Sequence, residues 1–331
     1  MDSLTQIVLG AAVGEATLGK KVGNKAALYG AIAGTIPDLD VVANYLVDTV
    51  TALEVHRGFT HSIVFSIVFG LFFGWLVSLW EKRASWKQWS LLWFLCFLTH
   101  PLLDAHTTWG TQLFWPFDLR LAYKNIFVID PLYTLPFLIF LVVALLRKRN
   151  DPKRRTFNNL GLWVSSIYLV LTLVLKGITF LKFENALEEQ RIAYTEIETK
   201  PAPLNAILWT ANVETEHSFL IGYYSLFDSQ PIKFGVHPKN HELLGGLAAD
   251  AKIKRLIKLT NGFYTISEDN GNLYFNDLRF GTLSVDPNNR DYVFSFLLEK
   301  KGENLVVTEN RKRPEDAKNL LKELWVRIKG N

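Results

Sequence analysis

Three short segments of this chain put imidazoles and carboxylates at spacings that suit a metal ion. The stretch His100-Pro-Leu-Leu-Asp-Ala-His106 closes an apolar run over residues 89–99. His100 and Asp104 are four apart, so on a helix they share one face a turn from each other and can offer a nitrogen and an oxygen to a single ion. A second cluster, His56-Arg57-Gly-Phe-Thr-His61-Ser, precedes another apolar run, and a third, Pro37-Asp38-Leu-Asp40, interrupts an earlier one. Four of the seven histidines lie in these segments. Imidazole and carboxylate without thiolate is a donor set for Zn²⁺, Mn²⁺ or Fe²⁺. A divalent metal is therefore the expected cofactor, zinc first and manganese or iron as alternatives, with Asp38, His56, His61, His100, Asp104 and His106 as its candidate ligands. That number exceeds what one catalytic zinc takes, which leaves room for a second ion. Arg57 is a candidate for stabilising anionic charge in a transition state, and Asp40 for a general base.

Each feature also has a plainer account. Asp38 could cap a helix after Pro37. His100 and Asp104 could be a buried hydrogen-bonded pair at a helix end, and Arg57 a snorkelling interfacial side chain. His56 and His61, five apart, do not share a helix face and converge only if the turn at Gly58 folds back. The combination carries more weight than any part of it. A carboxylate in a membrane segment costs on the order of 2.5–3.5 kcal/mol, so three such clusters at helix ends are poorly explained as solvated surface.

The elements that must position these groups divide the chain into two regimes. Of 331 residues, 49% are hydrophobic, yet the apolar residues concentrate before residue 182. Six candidate membrane segments are expected: 4–18, 26–47, 62–80, 88–106, 131–146 and 160–181. The run 62–80 is the clearest, being long enough to cross about 30 Å of hydrocarbon. The N-terminus has no basic n-region and no small-residue cleavage site, which favours a first membrane segment over a cleaved signal. Lys20, Lys21 and Lys25, then Lys82, Arg83 and Lys87, then Arg147 to Arg155 fall in alternate loops. The excess of basic residues assigns those loops to the cytoplasm, and the His/Asp clusters and the C-terminal region to the other side. The single cysteine, Cys96, excludes an internal disulfide and a cysteine metal site. The basic loops fit a membrane protein rather than a nucleic-acid binder.

The expected fold class is mainly α: a polytopic helical membrane domain over residues 1–181, followed by a small extracytoplasmic α+β domain over 182–331. In the latter, Phe183, Leu187, Tyr194 and Ile197 form a helical stripe ending at Lys200-Pro201. Strands are expected at 206–214, 218–226, 263–268 and 272–275, the last two joined at Asn270-Gly271, which suits a type I′ turn. Helices are expected at 241–259 and 314–328, the latter with Pro314 as its first position. His217, His237 and His241 lack carboxylates at ligand spacing and are expected at the surface.

Taken in order, Asp2-Ser-Leu-Thr-Gln6, Pro37-Asp-Leu-Asp40, His56-Arg-Gly-x-Thr-His61-Ser62 and His100-Pro-Leu-Leu-Asp104 resemble the YdjM-like family of membrane-bound metal-dependent hydrolases. The resemblance covers about the first 180 residues. It implies a multi-helix protein of the inner membrane with hydrolase activity and, more remotely, a likeness to zinc-dependent phospholipase C. On that likeness Asp38 or Asp40, His61, His100, Asp104 and His106 are the matching ligands. Gln6 stands where many relatives carry a histidine. The expected function is metal-dependent hydrolysis, with metal-activated water and a free aspartate as base, on an unknown small or lipid-like substrate, a phosphoester by preference, at the outer interface of the lipid bilayer. The alternative is a non-enzymatic membrane regulator or scaffold with a structural metal site. A transporter is disfavoured, because there is no internal repeat and the polar groups gather at one edge. The sequence leaves the oligomeric state open.

Overall fold

The computed structural model describes residues 1–302, 304–310 and 317–331. The chain forms two compact units: Met1–Tyr45, Val55–Val174 and Pro203–Asn205 in one, and Leu46–Glu54, Leu175–Ala202 and Ala206–Asn331 in the other.

The first unit is helical, built from α1 (Ser3–Val22), α2 (Asn24–Thr35), α4 (Ile63–Ser78), α5 (Trp86–Asp104), α6 (Pro131–Leu145) and the first part of α7 (Pro152–Glu189). The helices α1 and α2 touch backbone to backbone. A Cβ on Gly30 would lie 2.1 Å from the Gly10 carbonyl oxygen, and one on Gly14 would lie 2.3 Å from that of Ala26. Only glycine permits this approach, which explains why the first two apolar segments are rich in small residues. The bundle closes over Trp89, Trp93, Phe97, Phe137 and Leu92.

One end of this unit is basic. Lys25 pairs with Glu81 at 2.7 Å, Lys21 reaches Gln88, and Arg149 reaches the Lys21 carbonyl. Arg83 also grips Glu81, and the two cations, Arg83 foremost, hold that carboxyl down to about 2. Deeper in, Arg154 Nε and Nη2 clamp the Glu15 carboxylate at 2.6 and 2.5 Å, with Asn24 Oδ1 on Nη1. The opposite end gathers the start of α1, the 3-10 segment Pro37–Tyr45, the loop before α4 and the end of α5.

Membrane-spanning capacity is smaller than expected. Among the described residues, Asn24–Tyr45 and Pro152–Glu189 are long and apolar enough to cross a bilayer. A third span is added only if Thr49–His61 and Ile63–Ser78, bent by 59°, count as one. Six were expected. The reason is length and polarity: at 1.5 Å per residue α4 and α6 are only about 24 and 23 Å long, and α5 carries Lys87, Gln88, His100 and Asp104.

The second unit holds two four-stranded antiparallel meanders. They are β1 (Glu196–Pro201), β2 (Leu208–Glu214), β3 (Ser218–Ser225) and β4 (Phe234–Pro238), then β5 (Tyr264–Asp269), β6 (Asn272–Thr282), β7 (Tyr292–Lys301) and β8 (Asn304–Glu309), each in sequence order. Asn270 and Gly271 have φ of 51° and 77°, as the predicted turn requires. The 241–259 helix is two elements, a 3-10 segment His241–Ala249 and α8 (Ala251–Leu259), because Asp250 is extended and caps the second. The stripe through Tyr194 and Ile197 is not helical: α7 ends at Glu189, and Ile197 lies in β1. The last described helix, α9, runs Ala317–Ile328, and the predicted start at Pro314 lies outside the described residues. α3 (Thr49–Val55) lends Val50 to this unit's core beside Leu244, Ile253 and Leu256, and Arg255 grips Glu54 at 2.5 Å.

Candidate metal centre

Pro37 ends α2, and the next turn swings Asp38 toward the end of α5, which presents His100 and Asp104 on one face as their spacing predicts. His61 arrives from the short 3-10 turn Phe59–His61, which ends at Ser62; the Ser62 side chain accepts from Phe65 N–H and starts α4. One ligand atom from each of Asp38, His61, His100 and Asp104 lies within 4.8 Å of all the others. His61, His100 and Asp104 are fully buried, and the Asp38 side chain is 21% exposed.

The fit to a metal ion rests on three features. His61 Nε2 and His100 Nε2 stand 3.1 Å apart. His100 Nδ1 faces the Gly34 carbonyl oxygen at 2.8 Å, so Nδ1 carries the proton and donates it. His61 Nδ1 faces Thr60 Oγ1 at 3.0 Å, and Thr60 in turn donates to Asp40 Oδ2 at 3.1 Å, so His61 Nδ1 is the donor too. In the neutral rings, both Nε2 atoms therefore aim lone pairs into the same space, an arrangement that a cation between them relieves. Second, Asp104 Oδ2 is buried with no hydrogen-bond partner. It stands 3.3 Å from His61 Nε2 and 3.5 Å from His100 Nε2, while Asp38 Oδ1 is 3.4 Å from each of the same nitrogens. Third, a tetrahedron with the usual Zn–N and Zn–O bonds has edges of about 3.3–3.4 Å. Five of the six separations among these four ligand atoms, 3.1–3.5 Å, match that figure.

Two expected ligands are elsewhere. His56 Nδ1 is bound to Asp40 Oδ1 at 2.9 Å, and its ring lies against Trp109. His106 Nδ1 pairs with Asn125 Oδ1 at 2.9 Å and packs on Tyr123. Among the described residues one group of metal-ligand type forms.

Asp40 turns its carboxylate away from that position and onto the loop. Besides His56 and Thr60 it accepts the Arg57 N–H at 2.7 Å. Arg57 has a φ of 58°, a conformation that costs a non-glycine residue on the order of 1–3 kcal/mol and persists only where its surroundings impose it. The Arg57 guanidinium is buried. Its Nη1 donates to Thr107 Oγ1 at 2.8 Å, and its Nε, 3.3 Å from Asp104 Oδ2, makes no hydrogen bond. Asp104 Oδ1 receives the Met1 amino group and Gln6 Nε2. Gln6 thus touches a ligand without belonging to the ligand group.

Sequence reasoning missed Gly34, Thr107 and Asn125. A backbone carbonyl leaves no mark in composition, and the other two act across loops. Asp130 was also missed, although Asp130-Pro131 is a legible helix start: its side chain caps α6 and accepts the Tyr168 hydroxyl at 2.9 Å.

Residues 1–179 match the family described as YdjM inner membrane protein. The chain is 28% identical over 235 residues to the Uncharacterized protein YfhP of Bacillus subtilis (strain 168), covering 67% of this chain and 68% of that protein. It is 34% identical over 99 residues to the Inner membrane protein YbcI of Escherichia coli (strain K12), covering 30% of this chain and 57% of that one. No solved structure matches it, so the likeness to zinc-dependent phospholipase C gains no support.

Proposed function

The chain belongs to the YdjM inner membrane protein family, and on that footing we propose that it is a metal-dependent hydrolase of the inner membrane, acting on an anionic, lipid-like ester of the phosphoester type. The observation that carries the proposal is the buried Arg57 guanidinium beside the four ligands, its Nε 3.3 Å from Asp104 Oδ2 and making no hydrogen bond. A donor left over at the edge of the ligand group can serve an anionic substrate and its transition state. A divalent ion held there supplies a Lewis acid for the ester oxygen and a water of lowered pKa; zinc suits the donor set and the tetrahedral edges.

The chain's own residues divide the remaining work. Asp38, the one ligand with solvent exposure, marks the side from which substrate enters. Arg57 holds an anionic oxygen, and Asp40 keeps the loop carrying Arg57, Thr60 and His61 in register. Phe114, Trp115 and Phe117, on the loop after the site, are 46%, 38% and 74% exposed, and aromatic residues of this kind settle at headgroup depth. They favour a substrate whose apolar part stays in the bilayer.

The orientation proposed is with the basic end of α7 cytoplasmic and the C-terminal unit outside. Lys153, Arg154 and Arg155 crowd the first turn of this long span, and the positive-inside tendency applies to them directly. Reporter fusions before residue 152 and after residue 200 are expected to report opposite compartments; the same compartment for both overturns the orientation.

A second reading has its own observation. Four protein ligands already fill a tetrahedron, and closed sites are commonly structural; a scaffold or regulator with a structural ion follows. Purified, metal-loaded protein offered phospholipids, lipid-linked phosphates and soluble esters separates the two. Metal-dependent turnover of the lipid-linked compounds, lost in Arg57→Ala with metal retained, is expected. Metal retention with no turnover of any substrate favours the scaffold.

A further inference from the structure

The outward face of α9 has a composition that nothing in the hydrolase reading uses. The helix is fastened to its unit by its other side. Leu324 and Ile328 are buried, Arg327 clamps both oxygens of Asp228 at 2.6 Å, and Ser225 Oγ donates to the Ile328 carbonyl. With that side fixed, positions 318, 321, 322, 325 and 329, spaced three and four apart, form one outward stripe. On it Leu321 and Trp325 are 53% and 59% exposed, and Val326 beside them is 59% exposed. Phe227, 63% exposed, belongs to the loop whose backbone abuts Gly330 just past the helix.

The charges on this stripe have one sign: Lys318, Lys322 and Lys329, the last with its Nζ 5.2 Å over the Trp325 ring. Glu323, the acidic residue of this helix, is turned aside to Asn319 and Ser284. A face that served only to meet water would not leave a tryptophan, a leucine and a valine side by side. Lysines alone around them call for an occupant of negative charge. Apolar residues with an interfacial tryptophan, flanked by lysines long enough to reach a phosphate plane, are the features of a helix lying in the surface of an anionic bilayer. The chain is a protein of the inner membrane, so such a surface is always within its reach.

We propose that the Lys318/Leu321/Lys322/Trp325/Val326/Lys329 face of α9 docks onto an anionic lipid surface, Trp325 and Leu321 entering the interface and the lysines meeting lipid phosphates. The docking does not depend on the hydrolase reading.

The test uses the full chain carrying Leu321→Cys labelled with an environment-sensitive fluorophore, Cys96 being buried, and reconstituted into vesicles of phosphatidylcholine alone or with equimolar phosphatidylglycerol. Blue-shifted emission, and quenching by nitroxide borne on the lipid, are expected with phosphatidylglycerol and much less without it. Each lysine near an anionic surface multiplies the docked-to-free ratio by about fivefold. Lys318→Glu/Lys322→Glu/Lys329→Glu is therefore expected to lower that ratio by two orders of magnitude or more, with circular dichroism unchanged because these side chains face outward. A label in water in both vesicles overturns the proposal. So does a label shielded from water yet not quenched by the lipid-borne nitroxide, which means protein covers the face, or quenching that the triple variant leaves unchanged.

Discussion

Asp40→Asn separates two roles for a carboxylate beside a metal site. It keeps the shape of the side chain and removes its charge. In the structure Asp40 accepts from Arg57 N–H at 2.7 Å, His56 Nδ1 at 2.9 Å and Thr60 Oγ1 at 3.1 Å, and through Thr60 it sets the proton on His61 Nδ1. Hydrogen bonds to a charged acceptor contribute about 1.5–3 kcal/mol and neutral ones about 0.5–1.5. The substitution therefore weakens the Arg57 and Thr60 bonds by about 1 kcal/mol each. That is most of what offsets the left-handed backbone at Arg57. If the loop must be ordered for His61 to bind, the loss of about 2 kcal/mol appears as a 10–100-fold weaker metal affinity, the range usual for partners behind a metal ligand. The assay is a chelator-competition titration of purified wild type and variant with Zn²⁺, alongside turnover at saturating metal. Unchanged metal affinity together with lost turnover would refute the positioning role and restore Asp40 as the general base.

Three further predictions concern the fold. Arg154→Met strands the buried Glu15 carboxylate and is expected to cost about 3–5 kcal/mol, read as a lowered midpoint of detergent-solubilised protein; an unchanged midpoint means the pair is not buried in the folded protein. Gly30→Ala puts a methyl 2.1 Å from the Gly10 carbonyl oxygen and is expected to destabilise by about 1–3 kcal/mol, whereas Gly177→Ala, also helical, meets no neighbour and gauges the backbone effect of the exchange alone. In the second unit, burial pushes the His237 imidazole below its usual range, with Arg290 adding to the effect and the Pro287 carbonyl opposing it. A folded-state value below the unfolded one makes stability fall as pH drops through about 6.5. The unit's melting temperature is expected to hold from pH 8 to 7 and decline toward pH 5, with a shallower slope in His237→Gln; a slope unchanged by that substitution would assign the decline to other groups, His241 first.

The cluster was legible where one helix carried two candidate ligands. The four-residue spacing of His100 and Asp104 fixed their common face, and Asp38 and His61 joined them because both sit at helix ends. His56 and His106 stand outside the group for a shared reason. Proximity in sequence to a ligand says nothing about which way a loop side chain turns, and Asp40 and Asn125 claim those imidazoles instead. The opposite error occurred at His237, expected at the surface yet buried, its Nε2 on the Pro287 carbonyl and its Nδ1 facing the Tyr292 hydroxyl. The span count failed because hydropathy marks apolar helices without regard to whether they are long enough to cross a bilayer alone. The hairpin at Asn270-Gly271 was readable because its turn needs residues that tolerate positive φ; β1 and β4 carry charge, proline and glycine and left weaker local marks, while β7 and β8, rich in aromatic and branched residues, were legible and overlooked.

The central claim is that Asp38, His61, His100 and Asp104 hold one divalent transition ion. Elemental analysis of the purified full-length chain, with and without His100→Ala/Asp104→Asn, tests it most directly. The account predicts close to one zinc, manganese or iron per chain in the wild type and little in the double variant, with the circular dichroism of both alike. Equal metal in the two proteins, or none in either after loading, contradicts it.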